Sequence, residues 1–151
     1  DIPDYARALI AQFWPGALTV VLKAQPSLMW DLGETGGTVA LRMPNDEIAL
    51  ALLAEVGPMA VSSANRTGYP ASRTVVEAAS QLGAAVEFYL DGGPVTGGLA
   101  STIVDCTRAE PVVLRQGAIS TEDILAVVAA ADTPYDLPES SAPDPESTTD
   151  E

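Results

Sequence analysis

Apolar positions recur at two different spacings along the chain, and the switches between them mark out its elements. Tyr5, Leu9, Ile10 and Phe13 follow Pro3 at helical spacing, which predicts a helix over residues 3–13, ended by Trp14-Pro15-Gly16. ALTVVLK, residues 17–23, is apolar and β-branched enough for a buried strand, whereas residues 24–37 carry Pro26 and three glycines and read as a loop. TVALRM, residues 38–43, is the next strand. Asn45 is then placed to cap a helix carrying Ile48, Leu50, Leu52 and Leu53, which closes at Gly57.

The second half follows the same grammar with more strands. PMAVSS, residues 58–63, is a short apolar run, expected as a buried strand, that emerges into the irregular ANRTGYPAS. Thr74 and Glu77 stand at capping-box spacing and open a helix to Leu82, with Gly83 as its stop. VEFYLD at 86–91, STIVDC at 101–106 and PVVLR at 111–115 are further strand candidates, the first two separated by the glycine-rich GGPVTGGLA. Ser120 with Asp123 caps a last helix, residues 121–131. Helices and strands alternate at first and strands then cluster, so the expected fold is α/β: a mixed twisted sheet flanked by helices, not a regular doubly wound one. Neither a GxGxxG fingerprint nor a P-loop is present.

Composition narrows the chemistry. The 151 residues contain no His and a single Cys, Cys106, which excludes a Ser-His-Asp triad, a His-ligated metal centre, a Cys-rich zinc site and an internal disulfide. Cys106, within an apolar strand, is simplest as a small core residue. The net charge of −14 opposes non-specific attraction to nucleic acid or an anionic membrane. Residues 132–151 hold seven acids and no base, so half of that excess belongs to the tail. The organisation expected is one domain over 1–131 and an acidic, disordered tail over 132–151. No apolar run approaches the roughly 20 residues that span a bilayer and no signal-peptide pattern opens the chain, so a cytoplasmic protein without membrane contact is expected. The sequence begins within an amphipathic pattern and without Met, and is expected to be the C-terminal portion of a longer protein.

Four features carry candidate chemistry. Ser62-Ser63-Ala64-Asn65 can converge hydroxyls, a carboxamide and backbone N–H groups on an anion or a sugar, or can simply form an ST or Asx turn. Arg42 is the only charge in TVALRM and needs a carboxylate or phosphate partner unless it reaches solvent, and Thr38, four residues earlier, points to the same face. Gly97 to Thr102 is a flexible run whose hydroxyls, Ser101 among them, enter a strand. Arg115-Gln116-Gly117 puts a cation at a strand end beside a glycine that permits close backbone approach. Trp14, Pro15 and Trp30 are candidates for an aromatic platform or for core packing. No paired carboxylates have acid/base spacing, and no metal-ligand set is present, so no residue of the chain is assigned as catalytic or metal-binding.

Taken in order, FWPGALTVVL, TVALRMP, SSANRTG with its following Pro-Ala-Ser-Arg-Thr stretch, GLASTIVD and VVLRQG resemble the successive blocks of the YrdC-like family of threonylcarbamoyl-AMP synthases over nearly all of residues 5–125. The resemblance implies a YrdC-like sheet and a nucleotidyltransferase that makes threonylcarbamoyl-AMP and pyrophosphate from L-threonine, bicarbonate and ATP. Its product passes to the tRNA threonylcarbamoyl-transfer machinery, and Mg²⁺ accompanies the ATP. Carried over by position, Thr38, Ser63, Asn65 and Arg115 would face ATP, and Arg42 and Ser101 would hold threonine. Two departures stand out: Ala100 replaces a Glu frequent in the family's GxEST block, and the N-terminal block with its Lys-x-Arg pair has no counterpart. The chain by itself is accordingly expected to be inactive and to leave apolar surface uncovered. Within the same fold family the rival reading is a module that contacts tRNA or double-stranded RNA, or serves ribosome maturation, without synthase activity; a carbamoyl-transfer domain of hydrogenase maturation is opposed by the single Cys.

Overall fold

In the computed structural model, residues 2–95 and 97–131 are described; the acidic tail expected over 132–151 lies outside them. Helix α1 (Asp4–Phe13) leads into strand β1 (Leu18–Lys23) through a cis Trp14–Pro15 bond. Strand β2 (Thr38–Leu41), helices α2 (Glu47–Val56) and α3 (Val75–Leu82), strands β3 (Thr102–Asp105) and β4 (Val112–Arg115) and helix α4 (Thr121–Ala131) follow, with a short 3-10 turn at Gly83–Ala85.

The sheet order is β2-β1-β3-β4. β1 runs antiparallel to β2 and parallel to β3, and β3 runs antiparallel to β4, so the sheet is mixed as expected. One face of it makes the core. Leu18, Val20 and Leu22 alternate inward along β1, Val104 adds to them from β3, and Cys106 follows just beyond that strand. Tyr5, Ala6 and Leu9 of α1 and Ile124 and Val128 of α4 close over that face. α2 buries none of its residues and α3 only Ala78, so neither is part of this core.

The caps follow from side-chain chemistry. Thr74 accepts from the Glu77 N–H at the start of α3, and Ser120 accepts from the Asp123 N–H while donating to its carboxylate at the start of α4. At α2 the cap is Asp46, whose carboxylate accepts from the Ala49 N–H, and not Asn45 as the spacing predicted. Pro3 takes the N-cap of α1, one position before the first helical residue. β2 stops at Leu41, two residues short of the expected end, where Pro44 offers no N–H to continue a ladder.

Two expected strands are not formed. Residues 58–63 and 86–91 find no ladder partner among the described residues, and their apolar side chains stand in the open: Val61 is 85% exposed, Phe88 79% and Leu90 65%. β-branched and aromatic content makes a segment fit for pairing but does not supply the neighbour. Both sides of β1 and β3 are already occupied, and Pro58 has no N–H to give. Apolar surface is uncovered here, as expected.

Candidate functional site

The sheet has a second face, and most of the candidate residues lie on it. Paired residues of neighbouring strands point to the same side. The register sets Lys23 opposite Thr38, Val21 opposite Ala40 and Asp105, Thr19 opposite Ile103, and Ile103 opposite Arg115. All of these therefore lie away from the helical core. Arg42, two residues after Ala40, and Ser101, two before Ile103, continue the same alternation. The β1–β2 ladder ends at the pair Val20–Leu41, and Arg42 lies one residue beyond it, beside Gly16. Thr19, Ser101 and Arg115 thus form a row at one end of the sheet, joined by their side chains, and Arg42 stands just past the same end of β2.

Hydrogen bonds fix these positions. Arg42 Nε donates to the Gly16 carbonyl at 2.8 Å, and the Gly16 N–H donates back to Met43 at 2.8 Å, which ties the end of β2 to the start of β1. The Arg42 side chain is exposed and has no carboxylate partner among the described residues. Arg115 donates to the Ser101 carbonyl from Nε at 3.2 Å and Nη2 at 2.8 Å, and to Ser101 Oγ from Nη2 at 3.2 Å. Ser101 is only 8% exposed and shares a 2.8 Å hydrogen bond with the Thr19 hydroxyl.

Gly117 explains how the Arg115 loop comes so close. A Cβ there would collide with the Ala100 carbonyl oxygen and stand 2.6 Å from the Ser101 carbonyl carbon, so any side chain would push the two segments apart. Thr102, fully buried, holds the other side of the loop through the Gly117 and Ile119 backbones.

Thr38 lies on the same face as Arg42 but at the other end of β2, four residues or roughly 13 Å along the strand. Its hydroxyl donates to the Thr35 carbonyl, and it borders a groove of about 620 Å³ lined also by Trp30, Val39, Met59 and Val61. Trp30 is exposed there, while Trp14 packs against the core and donates from Nε1 to the Leu18 carbonyl.

Ser63 and Asn65 are held by a different set of contacts. Their loop is tied to α3: the Arg66 N–H donates to Gln81, and Gln81 Nε2 donates to Pro70 and Ser72. Asn65 Nδ2 donates to the Arg66 and Tyr69 carbonyls at 3.1 and 2.9 Å, so the amide does the work of a turn staple. Its Oδ1 is buried without a partner among the described residues. That leaves an acceptor whose desolvation is uncompensated, an arrangement that a ligand donor would relieve. Ser63 is exposed, and no hydrogen bond among the described residues links this loop to Arg42, Ser101 or Arg115. The structure therefore joins Ser101 to Arg115, sets Arg42 just past the end of β2 with the Gly16 carbonyl as its partner, keeps Thr38 at the other end of that strand, and puts Ser63 and Asn65 on a separate loop.

Thr19 was not among the candidates. Its signal is present in the sequence: it is the polar residue at an outward position of the otherwise apolar ALTVVL run, where a core strand open on one face has reason to place a hydroxyl.

Electrostatically this end of the sheet is simple: two guanidinium groups and two hydroxyls on an open face, a donor-rich arrangement that suits an anion. Among the described residues no three His, Cys, Asp or Glu side chains cluster as a metal site. No helix among them is long and apolar enough to cross a membrane.

Known proteins share this arrangement of segments. A Mycobacterium tuberculosis relative is 56% identical over 128 residues, which cover 85% of this chain and 59% of the relative. The threonylcarbamoyl-AMP synthase of Bacillus subtilis is 41% identical over 128 residues, covering 83% of this chain and 37% of its own. Among solved structures, Pyrococcus abyssi Sua5 complexed with L-threonine matches with a TM-score of 0.76 at 38% identity, over 84% of this chain and 38% of that one. The chain therefore spans about three fifths of the mycobacterial relative's length and well under half of the other two. The Sua5/YciO/YrdC family model, described as "Telomere recombination", matches residues 1–117, and with that extent of agreement the chain belongs to the Sua5/YciO/YrdC family.

Proposed function

We propose that this protein forms threonylcarbamoyl-AMP and pyrophosphate from L-threonine, bicarbonate and ATP, as a cytoplasmic supplier of the tRNA threonylcarbamoyl-transfer machinery. The observation that carries the reading is the joined set of Thr19, Ser101 and Arg115 at one end of the sheet, with the exposed Arg42 just past the same end of β2. Relatives named threonylcarbamoyl-AMP synthase, and the threonine-bound Pyrococcus structure, support it.

In this reading Arg42 holds the threonine carboxylate, since its guanidinium is exposed and free of carboxylate partners among the described residues. Ser101, held by Thr19 and Arg115, serves the same amino acid. Arg115 serves the phosphates with the N–H groups that Ser101 does not take, while Thr38, Ser63 and Asn65 hold the rest of the nucleotide. The threonine amine adds to carbon dioxide derived from bicarbonate and loses a proton. A carbamate oxygen then forms its bond to the α-phosphorus as the bond to the β-phosphate oxygen breaks and pyrophosphate departs. Such a reaction needs alignment and charge neutralisation and no protein nucleophile, which fits a chain without His. Mg²⁺ would enter on the ATP phosphate oxygens, because no carboxylate cluster among the described residues offers it a site.

The test is to incubate the protein from its complete reading frame with ATP, bicarbonate and labelled threonine. Formation of pyrophosphate with threonylcarbamoyl adenylate is expected. A protein that binds RNA and makes no adenylate would overturn the reading in favour of the RNA-binding one.

A further inference from the structure

Thr19 has no role in the scheme above beyond its place in the row, yet its contact defines what Ser101 can do. A serine hydroxyl has one proton to give and two lone pairs to accept with. Arg115 Nη2 already donates to Ser101 Oγ at 3.2 Å, which fills one lone pair. The Thr19 hydroxyl lies 2.8 Å from the same oxygen, and either partner of that bond can be the donor.

The two arrangements differ in what they show to the open face. If Ser101 donates to Thr19, its own remaining lone pair faces outward and repels an anion. If Thr19 donates to Ser101, both lone pairs are filled and the Ser101 proton must point away from both donors. An oxyanion on the face selects the second arrangement, and the half-buried position of Thr19 beside an 8% exposed Ser101 leaves little room for the pair to separate. The Ser101 carbonyl cannot swing away either, because Arg115 holds it with two hydrogen bonds.

We propose that Thr19 is a positioning residue that sets Ser101 as a hydrogen-bond donor to an oxyanion of the amino-acid substrate, its carboxylate or the carbamate formed on its nitrogen. The proposal deepens the synthase reading and rests on it.

The experiment compares the full-length enzyme with Thr19→Val and Thr19→Ser, measuring adenylate formation, threonine binding by calorimetry and thermal melting. Thr19→Val keeps the shape of the side chain and removes the hydroxyl, so the threonine KM and Kd should rise about tenfold while the ATP KM stays within about twofold. Thr19→Ser should return the threonine values to within about threefold of the parent. Unchanged threonine values in a folded Thr19→Val enzyme, equal losses for both substrates, or failure of Thr19→Ser to restore binding would each overturn it. A parent enzyme that neither makes the adenylate nor binds threonine fails on the synthase reading itself and takes this proposal down with it. The two failures are told apart by whether the parent or only the variant falls short.

Discussion

The hydroxyl of Thr102 donates to the Ile119 carbonyl at 2.6 Å and, in the same position, accepts from the N–H groups of Gly117 and Ile119 at 2.9 and 3.1 Å. One buried side chain thereby satisfies three backbone groups of the segment that follows Arg115, using its single proton and both lone pairs. The consequence is positional: the loop that carries Arg115 is clamped to the strand that carries Ser101.

Thr102→Val should therefore destabilise the full-length protein by about 3 kcal/mol, since it strands three backbone groups in a dry site while keeping the side-chain volume. Thr102→Ser should lose about 1 kcal/mol, the contribution of one methyl group. Urea unfolding of the three proteins checks both values, and equal stability of the valine variant and the parent would contradict the clamp.

Gly117→Ala addresses the other half of the same junction. The added Cβ meets the Ala100 carbonyl oxygen and stands 2.7 Å from that of Ser101, both backbone atoms that cannot turn aside. The loop must shift outward and carry Arg115 with it. Adenylate formation should fall by tenfold or more, on the order of 1.4 kcal/mol or above in transition-state terms, and melting should occur at lower temperature. An alanine variant with the parent's kinetics would mean the contact is looser than the geometry states.

Much of this architecture was legible before any coordinates. The apolar, β-branched content of ALTVVLK and STIVDC, the Thr74 and Ser120 caps and the glycine stops are local signals, set by a few neighbouring residues, and they held. What failed depended on distant partners. Residues 58–63 and 86–91 have strand composition, but pairing also needs an edge brought alongside, and composition does not record which segments meet. The choice of Asp46 over Asn45 turned on one residue of helix phase. For the site, Arg42 and Arg115 attracted notice as charges in apolar strands, whereas Thr19 did not, because its importance comes from Ser101, which is 82 residues away in the chain.

Cys106 offers a chemical readout of the core. Burial, with the nearby Asp105 charge adding to it, pushes the thiol up to about 11, so almost no thiolate exists at pH 8. In the native protein this thiol should react with a disulfide reagent orders of magnitude more slowly than free cysteine, and at the free-cysteine rate once denaturant is added. Rapid reaction without denaturant would show that the core around Cys106 opens readily.

Asp105 gives the corresponding acid-side test. The Thr107 hydroxyl and N–H donate to one carboxylate oxygen, and Arg108 lies 3.3 Å from the other, which holds the Asp105 carboxyl below its ordinary value. A carboxyl depressed in the folded state favours folding above its unfolded pKa of about 3.9, and that contribution disappears as pH falls through the folded value. Asp105→Asn should therefore be less stable than the parent at pH 6–8, with the difference closing below about pH 4. A gap that persists undiminished at pH 2 would assign the loss to packing instead of charge.

Arg42 supplies the sharpest division between the substrates. Its Nε is spent on the Gly16 carbonyl, and its exposed position leaves the two terminal nitrogens to a ligand. Arg42→Ala removes both the anchor and the charge, whereas Arg42→Lys keeps a point charge and loses the planar fork that meets a carboxylate with two bonds. In the full-length enzyme the alanine variant should raise the threonine KM by about a hundredfold and the ATP KM by no more than about threefold, with lysine in between for threonine. Equal losses for both substrates would contradict the assignment of Arg42 to the amino acid.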